Sequence, residues 1–91
     1  MNQLDNLIRE IINSIPGKHI FDTHMVIQKL IQKYTNDYLV NAQPFSTIES
    51  YHGHIGKSIV KYQNILVEDL GVAYSKNIKD DFSECECWRK I

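Results

Sequence analysis

One stretch of the chain spaces its polar side chains so that a helix would bring them to a common side. Ser50, His54, Lys57 and Lys61, called here the polar stripe, are four, three and four residues apart, and Thr47 precedes them. These intervals repeat with the turns of an α-helix. Hydroxyl and ammonium groups can contact phosphates, and hydroxyl groups can also reach base edges. The stripe indicates a helix that binds nucleic acid, and the alternative is the solvated face of an ordinary helix.

Charge gives the nucleic-acid interpretation little support. The 91 residues carry a formal net charge of −1, and the pI is about 6.4. This balance excludes a generally cationic protein that coats nucleic acid or an anionic membrane. Residues 47–63 carry a net charge of +1 and residues 64–91 a net charge of −2. The two lysines of the polar stripe fall short of the roughly six to ten phosphate contacts of a strong binder.

A second set of candidate contacts lies in a polar turn predicted near the C-terminus. Lys76 and Lys79 could reach a phosphate from this turn, but Asp80 and Asp81 follow at once. Their carboxylates would repel a phosphate. The alternative is therefore an ordinary solvated turn.

Paired histidines and cysteines raise the question of a metal. His52 and His54, with Cys85 and Cys87, would supply a tetrahedral zinc set. One residue separates the members of each pair, whereas about two to four residues separate paired cysteine ligands in structural zinc sites. On a helix, positions 52 and 54 also point about 200° apart. We therefore expect no metal ligand and no cofactor, and we assign the cysteines to packing as free thiols.

Enzyme motifs are weak throughout the chain. Asp22 and His24 lie near a predicted helix start, where capping and turn formation account for them. Ser75 and Ser83 lack the context of a nucleophile elbow. The Gly-Lys-Ser triplet at 56–58 lacks the spacing of a phosphate-binding loop. We therefore expect a binding protein rather than an enzyme.

The hydrophobic pattern predicts the elements that carry these residues, and the first helix is the clearest. Its apolar residues recur at helical spacing on one face. They are Leu4, Leu7, Ile8, Ile11, Ile12 and Ile15. Pro16 and Gly17 end the helix, because proline disfavours the α conformation in the preceding residue. The apolar face would allow a homodimer through the first helix.

Two further helices are predicted. The second begins at Asp22 or Thr23, since either side chain can accept hydrogen bonds from exposed backbone N–H groups. The third begins at the capping-box signature of residues 46–49 and carries the polar stripe. Gly53 and Gly56 lie inside it, and each costs about 1 kcal/mol relative to alanine. We expect a bend, or the close approach of a helix or a partner, at these glycines.

The C-terminal third of the chain changes to strand-like patterns. Residues 65–67 and 72–74 are short apolar runs, separated by the turn-like residues 68–71. Residues 76–81 are a polar turn, and residues 82–91 alternate as a further strand. The single tryptophan lies in this last strand, where we expect it to pack against the helices or beside the strand.

Helices followed by strands predict an α+β fold, with a three-helix core followed by a C-terminal β-hairpin in a single domain of residues 1–91. This order of elements resembles the winged helix-turn-helix family over most of the chain. The stretch from Thr35 to Pro44 is longer than the usual turn between the second and third helices. Its apolar residues, at positions 38–40 and 42, are expected to form a short segment of one or two helical turns. The resemblance implies that the third helix, about 47–62, enters the DNA major groove and that the hairpin tip touches phosphate or the minor groove.

Two functions are predicted. The first is a small regulator that binds double-stranded DNA, and its candidate contacts are Thr47, Ser50, His54, Lys57, Lys61, Lys76 and Lys79. The second is a protein-binding module, or an inhibitor encoded by a phage or mobile element that docks on a host protein or nucleoprotein complex. Near-neutral charge, five tyrosines and an acidic C-terminal segment favour the second.

The cellular location is predicted from what the sequence lacks. The longest apolar run is far shorter than the roughly 20 residues that span a bilayer. The first residues lack the basic and apolar blocks of a secretory signal. We expect a cytoplasmic protein without membrane contact.

Overall fold

The computed structural model describes residues 3–91, so Met1 and Asn2 of the predicted domain lie outside the described residues. Within this range the chain forms α1 (Gln3–Ser14), β1 (Ile20–Asp22), α2 (Thr23–Lys33), α3 (Thr35–Ala42), α4 (Ile48–Val60), β2 (Val67–Lys76) and β3 (Phe82–Lys90). The strands form an antiparallel sheet in the order β1-β3-β2. The α+β class is confirmed. The predicted three-helix core is extended by α3, which lies where one or two helical turns were expected, and β1 was not predicted.

The first helix forms as its apolar spacing predicts. α1 ends at Ser14, whose hydroxyl donates a hydrogen bond to the Ile11 carbonyl at 2.6 Å. All five apolar residues of α1 are buried, namely Leu4, Leu7, Ile8, Ile11 and Ile12. The apolar face of α1 is therefore used in the core. It leaves no apolar surface for the predicted homodimer through the first helix, as far as residues 3–91 show.

β1 is short and leads directly into α2. Phe21 pairs with Trp88 of β3. Asp22 ends the strand with φ of −130°, and its Oδ1 accepts a hydrogen bond from the Met25 N–H at 2.8 Å. This bond satisfies one of the N–H groups that a helix start leaves without a partner. The predicted helix start at Asp22 or Thr23 is confirmed, with Asp22 as the N-cap.

The additional helix α3 occupies the stretch between the second and third predicted helices. It buries Tyr38 against α4, and the Tyr51 hydroxyl donates a hydrogen bond to the Tyr38 carbonyl at 2.7 Å. Leu39 and Val40 of α3 remain exposed. The eight residues of α3 bury a single large side chain, so their apolar pattern is weak and predicted only one or two helical turns rather than a full helix.

α4 begins one residue later than the capping-box signature predicts. Thr47, rather than Ser46, is the N-cap, and its hydroxyl accepts a hydrogen bond from the Ser50 N–H at 3.1 Å. Glu49 does not complete the predicted box, because its carboxylate pairs with Lys79 of the hairpin turn at 3.1 Å. The helix start is therefore joined to the hairpin by an ion pair.

The two apolar runs predicted as separate strands mostly belong to one strand, β2. The pairing register with β3 shifts between Asp69 and Gly71, which marks a β-bulge. Gly71 has φ of +94°, a conformation that glycine adopts without steric cost. The predicted turn at 68–71 is therefore wrong, because its glycine bends a continuous strand.

The hydrophobic core joins the helices to the sheet. Trp88 of β3 is 0% exposed and belongs to the same buried cluster as Phe21 and the apolar residues of α1, α2 and α4. This confirms that the tryptophan packs against the helices. None of the helices found between residues 3 and 91 is long and apolar enough to cross a membrane.

Candidate functional site

The first half of the polar stripe lies around the start of α4. The Thr47 hydroxyl is occupied as the helix cap, and Ser50 is exposed beside it. His54 is half-buried, and its ring packs against Phe45 with centroids 5.3 Å apart. The stripe is thus helical as predicted, but His54 is directed towards the loop before α4 rather than freely into solvent.

Three of the four candidate lysines lie against carboxylates. The pairs are Lys61 with Asp5, Lys76 with Asp80 and Lys79 with Glu49, each with its nitrogen and oxygen 3.1 Å apart. Exposed pairs of this kind contribute at most about 1 kcal/mol, so the lysines can exchange partners. The carboxylates remain on the same surface, however, and cancel its charge. Within the described residues, Lys57 is the one lysine of the four that forms no ion pair. The DNA hypothesis requires a continuous positive strip, and the other three lysines each lie beside a carboxylate.

A cleft of about 470 Å³ separates α4 from the hairpin. Its walls include Gly53, Gly56 and Lys57 of α4, together with Ile78 and Lys79 of the hairpin turn. A Cβ at Gly56 would lie 3.6 Å from the Thr23 methyl group, an ordinary contact. Because glycine has no side chain, the α4 wall of the cleft consists of backbone at these two positions. At Gly53, no other described element approaches the backbone of α4 closely.

A polar cluster around His24, at the start of α2, adjoins the cleft, and His24, Ser83 and Cys85 contribute to the cleft wall. The ring Nδ1 lies 2.6 Å from the Ser75 hydroxyl, and Nε2 lies 3.3 Å from the Ser83 hydroxyl. The Ser75 hydroxyl is also 3.7 Å from the Cys85 sulfur. Asp22, His24 and Cys85 offer ligand atoms that all lie within 4.8 Å of one another. We call these three residues, with Ser75 and Ser83, the His24 cluster.

A second histidine of the cleft, His52, contacts two tyrosines. His52 Nε2 lies 2.6 Å from the Tyr38 hydroxyl. Burial lowers the pKa of His52 below its usual 6.5, and the nearby His24 adds to this effect. Burial also raises the pKa of Tyr51, which packs against both, to about 12. His52 is therefore neutral at pH 7 and does not add positive charge to α4.

The side of the hairpin away from His24 is apolar and exposed. Val72, Tyr74 and Phe82 are 60%, 68% and 68% exposed, and we call them the outer hairpin face. The cross-strand partners of Val72 and Tyr74 are Glu86 and Glu84. The Tyr74 hydroxyl donates a hydrogen bond to Glu84 at 2.8 Å. The border is therefore acidic beside Val72 and Tyr74, whereas Lys76 Nζ lies 5.8 Å from the centre of the Phe82 ring. An exposed group of large apolar side chains with a charged border is typical of an interaction surface.

Acidic groups are crowded at the border of this face. The pKa of Glu86 is raised, first by a hydrogen bond with the Asp69 carboxyl group and then by burial. Two carboxyl groups that compete for protons in this way mark an excess of negative charge. A cation placed beside them would lower the energy of both.

Sequence reasoning missed the His24 cluster and the outer hairpin face. Ser75, Ser83 and His24 were each considered, but 51 positions separate His24 from Ser75 and only the fold brings them together. The outer hairpin face did leave a signal. Once β2 is taken as one strand, Val72 and Tyr74 alternate with Ala73 and Ser75, which predicts two different sides.

Comparisons with protein-family models, curated proteins and solved structures found no match to this chain.

Proposed function

We propose that this protein is a small protein-binding module that takes up an extended segment of a partner along the free edge of β2. The element order, with α3 as an insertion before α4, and the sheet order β1-β3-β2 support a winged-helix-like topology. In that topology the β2–β3 hairpin corresponds to the wing. Because one fold serves many functions, the proposal depends on the surface of the hairpin and not on the topology.

The observation that carries the proposal is the outer hairpin face beside an open sheet edge. Within residues 3–91, β2 pairs with β3 on one side, and its other edge meets no strand. That edge is occupied only at Val67, which forms a bridge with Gln63, so the free edge runs from Glu68 to Lys76. Such an edge offers backbone N–H and C=O groups to an added strand. Apolar side chains of that strand would be buried against its direct neighbours on β2, Val72 and Tyr74, and long side chains would reach across β2 to Phe82. This burial supplies affinity.

Charge defines the chemistry of the partner. Glu84 and Glu86 border the outer hairpin face, and Asp69 lies against Glu86. A lysine or arginine in the added segment would pair with this group and relieve the competition for protons. The favoured partner segment is therefore extended and alternates apolar with basic residues.

A peptide selection tests this proposal. Short random peptides displayed on phage are selected on the immobilised full chain, and the enriched peptides are synthesised and titrated by calorimetry. We expect the enriched peptides to alternate apolar and basic residues. The double variant Tyr74→Ser/Phe82→Ser should bind them at least about tenfold more weakly, since loss of a buried aromatic anchor costs about 1.4 kcal/mol or more.

Leu39→Ser is the matched control for the peptide selection. Leu39 is 57% exposed, as the outer hairpin face is, but it lies on α3. This variant should bind the peptides as the unaltered chain does. The proposal is wrong if no basic, apolar peptide is enriched, or if the α3 variant and the hairpin variant lose affinity equally.

DNA binding is the second candidate, and it is supported by Lys57, which is exposed on α4 and forms no ion pair with any residue from 3 to 91. A winged-helix-like protein would place this helix in the major groove. The test is fluorescence anisotropy of labelled duplex DNA as salt is raised from 50 mM. DNA binding predicts a steep loss of affinity with salt, and it predicts that Lys57→Glu/Lys61→Glu abolishes binding. Absence of binding at low salt, or equal binding by the double variant, excludes this function.

A further inference from the structure

Three kinds of metal-ligating side chain meet at the His24 cluster. Asp22 ends β1, His24 lies in the first turn of α2, and Cys85 belongs to β3. Their carboxylate, imidazole and thiol atoms lie within 4.8 Å of one another, and all three residues are partly buried. Oxygen, nitrogen and sulfur ligands in one set are the donors that zinc prefers.

The distances are close to those of a bound ion. A tetrahedral zinc with bonds of about 2.0–2.3 Å holds its ligand atoms about 3.3–3.6 Å apart. Each pair in the cluster must therefore close by at most about 1.5 Å, which side-chain rotation can supply. Asp22 uses Oδ1 to cap α2, so its second oxygen is the one available to a metal.

The surrounding serines give the site its supporting contacts. Both ring nitrogens of His24 face hydroxyl groups, Nδ1 towards Ser75 and Nε2 towards Ser83. When one nitrogen binds a metal, the other can donate its N–H to the serine that remains, which fixes the ring and its tautomer. The carboxylate and a thiolate together would balance a divalent charge.

The geometry points to a zinc-binding site formed by Asp22, His24 and Cys85, with water as the fourth ligand. Binding would displace the thiol proton of Cys85 to solvent, and the metal would join the hairpin to the start of α2. This set differs from the paired histidines and cysteines considered in the sequence analysis. Of those histidines, His52 is hydrogen-bonded to Tyr38 and His54 packs against Phe45. It does not depend on the proposed partner of the outer hairpin face.

Cobalt substitution tests the site, because Co²⁺ accepts the same ligands and is coloured. Co²⁺ is added to the chelator-treated full chain. We expect one ion per chain, a near-ultraviolet thiolate-to-cobalt charge-transfer band, and loss of this band when Zn²⁺ is added. Cys85→Ser should abolish the band. His24→Gln should weaken Co²⁺ binding at least about tenfold, the lower end of the loss seen even when a supporting residue is removed.

Two variants control for general effects on the cleft and the thiols. Cys87→Ser removes the other cysteine, and His52→Gln removes the other histidine of the cleft. Both should keep the charge-transfer band and the stoichiometry of one ion per chain. Far-ultraviolet circular dichroism checks that each variant is folded in chelator, so that a lost band reports a lost ligand.

Two results would overturn the zinc site. One is the absence of a charge-transfer band with the folded, unaltered chain at millimolar Co²⁺. The other is a band that survives Cys85→Ser but disappears in Cys87→Ser, since the thiolate would then come from the wrong cysteine. Neither result bears on the proposed function, because peptide binding at the outer hairpin face is measured in a separate experiment.

Discussion

Asp22 has two separable tasks, and two substitutions distinguish them. Its carboxylate caps α2 through the 2.8 Å hydrogen bond from Met25 N–H, and in our proposal its other oxygen binds zinc. In chelator, Asp22→Ala should lower the free energy of unfolding by about 1 kcal/mol, because an N-cap is lost. For a domain of this size, that corresponds to a fall in Tm of about 4–8 °C. Asp22→Asn should cost only a few tenths of a kcal/mol, since asparagine caps helices as well as aspartate does.

The gain in Tm that zinc produces tests the second task of Asp22, metal binding. A ligand present at a hundred times its Kd stabilises the folded state by about 2.7 kcal/mol, so the unaltered chain should gain Tm when zinc replaces chelator. Asp22→Asn should keep its Tm in chelator but lose most of this gain. The measurement is thermal unfolding followed by circular dichroism in both buffers. The reasoning about the cap is refuted if Asp22→Asn is as destabilised in chelator as Asp22→Ala. The reasoning about the ligand is refuted if its gain from zinc equals that of the unaltered chain.

Three further predictions concern stability. Trp88→Ala should cost about 3–5 kcal/mol, as a large buried side chain is removed, and urea unfolding followed by circular dichroism should show a domain close to its stability limit; a cost below 1 kcal/mol would contradict the burial of Trp88. Burial lowers the pKa of His52 below 6.5, so just below that pH the folded state binds fewer protons than the unfolded state. The unfolding free energy should therefore fall as the pH drops through 6.5, by at most about 1.4 kcal/mol per pH unit. His52→Gln should flatten this part of the profile of unfolding free energy against pH, and an unchanged profile would refute the role given to His52. Gly53→Ala should stabilise the chain by up to about 1 kcal/mol, whereas Gly71→Ala, at φ of +94°, should destabilise it by about as much; urea midpoints that move in the same direction would contradict this contrast.

Local patterns predicted the helices well where one face of a helix is buried. α1 carries five buried apolar residues in 12 positions, so its period is unambiguous. β1 has three residues, too few to show alternation, and it is a strand only because β3 lies beside it. Gly71 looked like part of a turn because glycine adopts the same left-handed conformation in turns and in β-bulges. The sequence alone does not distinguish these two uses.

The charges of the candidate site show why the polar stripe was a weaker guide to function than to structure. Its helix was predicted correctly, because periodicity is a local property. Its electrostatic surroundings are not local: Lys61 meets Asp5 across 56 positions, and Lys79 meets Glu49 across 30. A count of charges along the segment therefore found a positive block where the folded surface is nearly neutral.

The hairpin carries both proposals because a strand presents alternate residues to opposite sides. Ser75 and Ser83, paired across the strands, contact His24 on one side. Tyr74 and its partner Glu84 lie exposed on the other. An isolated two-stranded hairpin is only marginally stable, so contacts on the His24 side must hold it in place before the outer side can bind anything. The hydrogen bonds of His24 already provide such contacts without metal. The peptide site should therefore persist in chelator, and zinc should act on the stability of the hairpin rather than on the composition of its outer face.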